Sequence, residues 1–477
     1  QTCALPIWRR VARRGGGAGT GDEELLDHGR KPYCRVDPRP HRTSRVWEGS
    51  QVPRVSLHRS RRARAAAPAA LLALALVAPV LGPSSAGAAP AIRWRACADA
   101  PAQSCGRLAV PLDPSRPDGR RIDLVLRRIP ASRRAGRIGT LLVNPGGPGA
   151  SGVDAATDIR SRLPASLRSA FDVVGWDPRG TGRSSPVRCG RDLDYLFAPD
   201  TAPDTPAERA DLERAADRFA RECARRSGAL LAHVSTFDTV RDMEAIRAAL
   251  GEPRISYLGY SYGTLLGALY AQRYPQRVRT MVLDGAVDPT VPPEASLIQQ
   301  AQGFDGALSR FFGWCDARPS CGYGDGDSSA AYHRLRDHVD AQPLRTRSRT
   351  FGPTQLDLGV ASILYAGESG YRDLAQGLAD LDGGDPAVLA QAADDYVGRR
   401  ANGTYDPSWG AFLAISCLDG PPLTDAASMA AVSDRAAAAA PEFGASSAGL
   451  GTPCVSWPVG PVFDARSEEH TSELQSP

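Results

Sequence analysis

Residues 254–275, RISYLGYSYGTLLGALYAQRYP, restrict the possible folds more than any other segment of this chain. Their pattern predicts an apolar strand, a tight turn with Ser261 at its tip, and a helix rich in small residues. Gly259 and Gly263 flank the serine in the pattern G-x-S-x-G, which is typical of a nucleophile elbow. Such a turn exposes the serine hydroxyl at a helix N-terminus, where the helix dipole favours negative charge. An ordinary glycine turn is the alternative interpretation.

Strands and helices alternate on the N-terminal side of this segment. RIDLVLRRI alternates apolar and polar residues, and GTLLVNPGGPGASG and FDVVGWDPRGTGRSS each predict a buried strand that runs into a loop. DTVRDMEAIRAALGEP predicts an amphipathic helix with Val240, Met243, Ile246 and Leu250 on one face. Alternation of this kind predicts an α/β fold, with a mostly parallel sheet covered by helices on both faces.

The pattern changes after the dipeptide Asp288-Pro289. Residues 289–410 contain successive helical patterns and few strand signals, which predicts an inserted helical cap. Residues 90–288 would then form the core, and residues 411–465 would return to it. The sequence shows no internal repeat.

The loop NPGGPGASG follows a predicted strand and is a candidate oxyanion hole. Backbone N–H groups in such a loop stabilise the negative charge that develops on a carbonyl oxygen. Gly147 is the first candidate donor and Gly146 the second, with the N–H of Tyr262 as the partner donor. A plain turn and a phosphate cradle are the alternatives. The cradle is disfavoured because the loop lacks G-K-[ST] and its prolines supply no N–H.

A second loop, DPRGTGRS at residues 177–184, ends the next predicted strand. The simpler interpretation is a local pair between Asp177 and Arg179 that shapes the loop. A direct role in substrate binding is the alternative.

Residues 52–89 have the features of a secretory signal peptide. A basic region precedes an apolar run of about a dozen residues, and small residues at Ala88 and Ala89 suit cleavage. The run is too short to span a bilayer, so we expect a secreted protein with no membrane attachment after cleavage. The pair Arg61-Arg62 leaves a twin-arginine export route open.

The two ends of the chain resemble a translated sequencing adapter. QTCALPI at the head and RSEEHTSELQSP at the tail match its two strands, so residues 1–7 and 466–477 are interpreted as scars. Residues 8–51 lack apolar periodicity and are interpreted as upstream read-through, so residues 1–51 are expected to be disordered.

Charge and cysteine content bear on three questions: nucleic-acid binding, disulfide formation and metal binding. A net charge of +4 is too small to indicate a nucleic-acid partner. Eight of the ten cysteines lie in the mature region, an even number that suits disulfides in an oxidising compartment. Their spacing suggests the pairs Cys97–Cys105, Cys189–Cys223, Cys315–Cys321 and Cys417–Cys454. Zinc is the rival interpretation, but there is no CxxC pair or histidine cluster, so no metal or organic cofactor is expected.

Several motifs occur together in one order: NPGGPG, WDPRGTGRS, GYSYGTLLGALYAQRYP, VLDGAVDP, AISCLDG and CVSWP. With them the chain resembles, over roughly residues 92–464, the secreted tripeptidyl aminopeptidases, which are α/β-hydrolase-fold serine exopeptidases related to prolyl iminopeptidases. The resemblance implies attack by Ser261 on a scissile carbonyl and a cap that restricts access to peptides with a free N-terminus. It also implies a triad Asp and His after CVSWP.

The chain departs from that family where the acid and base of the triad are expected. In this fold the nucleophile is followed by Asp or Glu and then by His. After Ser261 come His333 and His338, for which a solvated helix face is the simpler interpretation, and His470 in the adapter-like tail. His233 precedes the nucleophile and is out of order.

We therefore expect that the gene fragment stops before the last core strands. The native enzyme would carry the triad, and this chain would be inactive or nearly so. Sequencing through the 3′ end tests this expectation, and a native stop codon directly after Phe463 would contradict it.

Acidic residues offer further candidates. Asp284 ends a predicted core strand and is interpreted as structural, although some members of this fold place their acid there. Glu368, Asp394, Asp395 and Asp419 are candidates for binding a substrate α-ammonium group, and a solvated charge is the simpler interpretation for each.

Two other functions remain open from the sequence. One is an esterase or lipase-like hydrolase that acts on small acyl groups, within the same fold. The other is a non-catalytic exported binding module that kept the elbow and lost the triad. The sequence sets neither the peptide length released nor the oligomeric state.

Overall fold

The computed structural model describes residues 91–462, except 347, 421, 422 and 424. The interpretations of residues 1–90 as scar, read-through and signal peptide, and of 466–477 as scar, lie outside the described residues.

A seven-stranded sheet forms the centre of the described chain, in the order β1-β2-β3-β5-β4-β6-β7. The first three strands pair antiparallel with one another, and β3 pairs antiparallel with β5. Strands β5, β4, β6 and β7 are parallel. The strands are β1 Arg93–Ala96, β2 Ser104–Pro111, β3 Arg121–Ile129, β4 Gly139–Asn144, β5 Phe171–Trp176, β6 Ile255–Tyr260 and β7 Val278–Asp284.

Helices connect the parallel strands and cover the sheet. They are α1 Gly152–Arg162, α2 Ala165–Ala170, α3 Asp194–Phe197, α4 Pro206–Ser227, α5 Thr236–Ala249 and α6 Tyr262–Arg273. The predicted apolar face of α5 is buried at Val240, Met243 and Ile246. All residues of β4 and β5 are buried, as expected for strands with helices on both faces. The predicted α/β architecture is therefore confirmed.

The segment after β7 is mainly helical. It contains α7 Pro293–Asp316, α8 Ser328–Ala341, α9 Pro353–Leu364, α10 Tyr371–Asp382 and α11 Ala387–Val397. A hydrophobic core of its own includes Leu308, Phe311, Tyr332 and Leu374. The expectation of an all-helical insertion is wrong in one detail, because β8 Leu344–Arg345 pairs antiparallel with β9 Thr350–Phe351. Strands of two residues are too short to leave a periodic signal in the sequence.

Three helices follow: α12 Ser408–Asp419, α13 Ala426–Ala439 and α14 Gly444–Gly449. Helix α12 contributes Leu413, Ala414 and Ile415 to the hydrophobic core that also contains the sheet residues Leu142 and Trp176. None of the helices within residues 91–462 is both long enough and apolar enough to cross a membrane.

All four predicted disulfides are present: Cys97–Cys105, Cys189–Cys223, Cys315–Cys321 and Cys417–Cys454. One group of possible metal ligands among the described residues consists of Cys97, Asp99 and Cys105. Its two sulfurs are bonded to each other, so they are not thiolate ligands.

The edge strand β7 is less buried than the interior strand β4. Every residue of β7 is either partly buried or exposed, and the side chain of Val282 is 56% exposed. Strand β4, two positions inward, is fully buried. Among the described residues, no strand pairs with the outer edge of β7.

Candidate active site

Ser261 forms the turn between β6 and α6 and is exposed to solvent. Its φ is 51° and its ψ is −125°, a left-handed conformation that costs a non-glycine residue on the order of 1–3 kcal/mol. The backbone N–H of Ser261 donates to the Asp284 carbonyl at 3.0 Å. The N–H and the hydroxyl of Thr264 both donate to the Ser261 carbonyl, at 2.7 and 2.6 Å. The strained turn is therefore held on both sides.

The flanking glycines are required by close backbone approach. A Cβ on Gly259 would lie 2.5 Å from the Gly263 carbonyl oxygen, and a Cβ on Gly263 would lie 2.8 Å from Asn144 Oδ1. Further along α6, a Cβ on Gly267 would lie 2.6 Å from the side chain of Leu283 on β7. Larger residues would push helix α6 away from the sheet, which agrees with the interpretation of G-x-S-x-G as an elbow.

The loop after β4 lies directly against this turn. A Cβ on Gly146, whose φ is 94°, would lie 3.0 Å from Ser261 Cβ and 3.2 Å from the Tyr262 nitrogen. The N–H of Gly146 donates to Asn144 Oδ1 at 2.8 Å, so it is already used. The N–H of the exposed Gly147 has no acceptor among the described residues.

Tyr262 is the first residue of α6, and the first N–H groups of a helix have no intrahelical acceptor. Among the described residues, the N–H groups of Tyr262 and Gly147 thus have no acceptor, whereas the N–H of Gly146 has one. This geometry favours the first of the two predicted loop donors over Gly146.

The predicted pair between Asp177 and Arg179 is wrong. Asp177 accepts hydrogen bonds from the Ser151 hydroxyl at 2.6 Å, from the Val153 N–H at 3.1 Å and from the Arg183 N–H at 2.8 Å. Burial raises the pKa of Asp177, and these hydrogen bonds oppose the rise. The carboxyl therefore anchors the start of α1 to the loop after β5.

Arg179 instead pairs with Asp242 of α5. Its guanidinium donates to both carboxylate oxygens, at 2.8 and 2.7 Å, and both side chains are almost fully buried. Further N–H groups of Arg179 donate to the carbonyls of Leu112 and His233, each at 3.0 Å. A buried guanidinium bonded in this way is structural, and it leaves no side-chain group of Arg179 for a substrate. The partner was missed because Asp242 is 63 residues away in sequence.

No histidine of residues 91–462 forms a hydrogen bond with Ser261. The ring of His333 on α8 bonds to Glu442 at 2.8 Å, and His338 lies on the same helix. His233 ends the turn before α5, and its carbonyl is bound by Arg179. The described residues therefore contain a candidate nucleophile and candidate oxyanion donors, and none of their histidines is hydrogen-bonded to Ser261.

The four acidic candidates occupy different environments. Glu368 and Asp395 are exposed. Asp394 is paired with Arg349 and, at 3.3 Å, with Arg399. These contacts satisfy the charge of Asp394 within the protein.

Asp419, the last residue of α12, is linked to Tyr262 of the elbow through Thr236. Its Oδ1 accepts the N–H of Thr236 at 3.1 Å, and its Oδ2 accepts the Thr236 hydroxyl in a short hydrogen bond. The Thr236 Oγ1 also contacts the Tyr262 hydroxyl at 2.7 Å. Burial raises the pKa of Asp419 to about 7, and the two bonds from Thr236 oppose the rise. Sequence reasoning missed this cluster because Thr236 and Asp419 are 183 residues apart.

Comparison with known proteins agrees with this geometry. Residues 139–409 match the family model described as the alpha/beta hydrolase fold. The chain is 39% identical to serine protease Hip1 of Mycobacterium tuberculosis, over 75% of this chain and 72% of that protein. It is 33% identical to the tripeptidyl aminopeptidase of Streptomyces lividans, over 77% and 71%, and 36% identical to carboxylesterase B of Mycobacterium tuberculosis, over 78% and 74%.

The chain therefore belongs to the α/β-hydrolase family. Its relatives include proteins named as a serine protease, a tripeptidyl aminopeptidase and a carboxylesterase.

Proposed function

We propose that this protein is a serine exopeptidase that releases short peptides from free N-termini through an acyl-enzyme on Ser261. The observation that carries the proposal is the exposed Ser261 in its strained turn, beside two N–H groups that have no acceptor within the described chain. The resemblance to tripeptidyl aminopeptidases and the relatives named as peptidases support the choice of substrate.

In the proposed reaction the Ser261 oxygen forms a bond to the scissile carbonyl carbon. The carbonyl oxygen becomes negative and accepts hydrogen bonds from the N–H groups of Tyr262 and Gly147. The C–N bond then breaks, and the amine leaves with a proton. Water attacks the resulting ester, releases the peptide acid and restores the serine.

The proton of the Ser261 hydroxyl needs an acceptor, and we propose that the base lies outside residues 91–462. His233, His333 and His338 form no hydrogen bond with Ser261 in the described part of the chain. Because a positioned base contributes roughly 10²–10⁴ in rate, this chain is expected to acylate slowly. Slow acylation is still measurable when the product is a stable covalent adduct.

We also propose that the protein acts outside the cytoplasm. Four disulfides within residues 91–462 support this, because such bonds persist in oxidising compartments.

A single-turnover experiment separates the candidate functions. Three phosphonate probes are compared by mass spectrometry: a tripeptidyl diphenyl phosphonate with a free amine, its N-acetylated form, and an alkyl fluorophosphonate. An exopeptidase should react faster with the free-amine peptide than with the acetylated one. The esterase function, favoured by the relative named carboxylesterase B, would give fastest reaction with the alkyl probe and no dependence on the amine.

The Ser261→Ala variant is the control for all three probes. Adducts that persist in this variant would show reaction elsewhere. If no probe modifies Ser261 in the wild-type chain, the proposed function is wrong, and the non-catalytic binding module becomes the favoured alternative.

A further inference from the structure

A buried chain of hydroxyl groups connects Asp419 to the residue that follows the nucleophile. Thr236 is fully buried and Tyr262 is 8% exposed. Tyr262 has its backbone N–H beside Ser261 and its phenol at 2.7 Å from Thr236 Oγ1. The other end of the chain is the Asp419 carboxyl, which bonds to both the N–H and the hydroxyl of Thr236.

We propose that Asp419 is a positioning residue for the oxyanion donor of Tyr262 and that it acts through Thr236. The proposal rests on the proposed role of Ser261 as nucleophile. In this role the ionised carboxylate fixes the phenol of Tyr262, and the fixed side chain holds the N–H of the same residue towards the reacting carbonyl oxygen.

The direction of the hydrogen bonds explains why ionisation matters. A hydroxyl donates one hydrogen, so Thr236 donates to an ionised Asp419 and accepts from the Tyr262 phenol. All donors in the chain then have an acceptor. When Asp419 is protonated, its own O–H donates to Thr236, and the Thr236 hydrogen turns towards Tyr262. The phenol hydrogen then lacks its acceptor, which is costly for a buried group.

The charged groups around Asp419 are few. Asp238, on the first turn of α5, raises the pKa of Asp419 by repulsion, and Arg241 bonds to Asp238 at 3.1 Å. Tyr262 on α6 faces Asp419 and is itself held protonated by burial, which raises the pKa of its phenol. Among the described residues no arginine or histidine forms an ion pair with Asp419. Burial thus raises the pKa of this carboxyl to about 7, so it changes charge near neutral pH.

Helix α12 also packs against the loop that carries the second proposed oxyanion donor. A Cβ on Gly149 would lie 2.5 Å from the Ser408 carbonyl oxygen and 3.0 Å from the Phe412 nitrogen. The first half of α12 thus packs against the loop that contains Gly147, and its last residue bonds to the chain that ends at Tyr262. One helix braces both sides of the proposed oxyanion hole.

The test is the rate constant for labelling of Ser261 by an alkyl fluorophosphonate, measured from pH 5 to pH 9. The phosphonyl oxygen of this probe occupies the oxyanion hole, so the rate reports on the Tyr262 N–H. We expect Asp419→Asn to match the wild type below pH 6 and to fall about tenfold behind it at pH 8. Thr236→Val should lose a similar factor at pH 8, and Thr236→Ser, which keeps the hydroxyl, should regain it.

Thr239→Val is the matched control. Thr239 is fully buried on the same helix, and its hydroxyl donates to the Ser235 carbonyl at 3.2 Å without joining the chain to Tyr262. Its labelling rate should follow the wild type at every pH. The double variant Asp419→Asn/Thr236→Val should lose no more than either single variant, since both break one chain.

Two outcomes would overturn the inference while leaving the proposed function intact. One is a ratio of wild-type to Asp419→Asn rates that stays constant from pH 5 to pH 9. The other is an equal loss in Thr239→Val and Thr236→Val, which would mean a structural effect. A wild-type chain that never labels at Ser261 would instead contradict the proposed function itself.

Discussion

The two sides of the candidate site differ: the turn that carries the proposed nucleophile Ser261 is well supported by its neighbours, whereas no base is found beside it among the described residues. On the nucleophile side, the Ser261 turn is held by Asp284 and Thr264, and Gly146 packs against it. On the base side, no histidine of residues 91–462 forms a hydrogen bond with the serine, and the side chain of Val282 on the edge strand β7 is 56% exposed. The groups that we propose act on the carbonyl oxygen lie within the described residues, and the proposed base lies outside them.

The difference teaches where each kind of catalytic group comes from. The elbow is encoded by one segment of sequence, because strand, turn and helix follow each other and their glycines allow close packing. A base must be brought to the serine from a distant part of the chain by tertiary structure. The two sides can therefore be changed independently.

The largest expected effect is on the oxyanion loop. Gly146→Ala introduces a Cβ 2.5 Å from the Tyr260 carbonyl oxygen, at a residue whose φ is 94°. Movement of this loop should displace the Gly147 donor and lower the labelling rate by roughly 10²–10³, the usual cost of losing one oxyanion donor. Gly136→Ala is the control, since nothing lies within 4 Å of its Cβ. Equal labelling of the two variants would show that the loop is not part of the site.

The next prediction concerns the base side. If no base reaches Ser261 in this chain, added imidazole should accelerate ester acylation at Ser261 by about tenfold to a hundredfold, a part of what a positioned base contributes. The rate is measured as release of p-nitrophenol after subtraction of the Ser261→Ala background. A rate that does not respond to imidazole would mean that a base is already in place.

The third prediction concerns the effect of Asp419 on the free energy of unfolding. Its pKa of about 7 lies above the usual carboxyl value, so its contribution to stability is full below about pH 4 and is lost as the pH rises to 7. Three units correspond to about 4 kcal/mol, an upper limit because the group is partly exposed. Asp419→Asn should therefore increase the free energy of unfolding at pH 8 by about 1–3 kcal/mol and change it little at pH 4.

Urea unfolding at both pH values measures this change. A variant that is less stable than the wild type at pH 8 would contradict the raised pKa. A gain in stability together with slower labelling would show that the ionised carboxylate serves the site at the expense of the fold.

The smallest expected effect concerns Ser151, which lies in the loop NPGGPGASG and caps helix α1. Ser151→Ala removes one hydrogen bond to the buried Asp177 and the side-chain cap of α1. The free energy of unfolding should fall by about 1–2 kcal/mol, with a reduction in labelling of less than about threefold. Ser115→Ala, at an exposed turn, is the control and should change neither value. A large loss of labelling without a loss of stability would place Ser151 in the site itself.

Local sequence patterns predicted much of the fold. The strand before Ser261, the amphipathic face of α5 and the four disulfides were all predictable, because each depends on periodicity or spacing along the chain. Chain-distant contacts were not predictable. Arg179 pairs with Asp242 and not with its sequence neighbour Asp177, and Asp419 bonds to Thr236. Both partners are brought together by tertiary packing, which the sequence pattern does not contain. The two-residue strands β8 and β9 left no signal in the sequence.

The most direct test of the central claim is the site of covalent labelling. The wild-type chain is incubated with an alkyl fluorophosphonate at saturating concentration, with and without imidazole, and the modified peptide is identified by mass spectrometry. We expect a single adduct on Ser261, faster with imidazole and absent from Ser261→Ala. No adduct on Ser261 under either condition, or an equal adduct in Ser261→Ala, would contradict the assignment of this serine as a nucleophile.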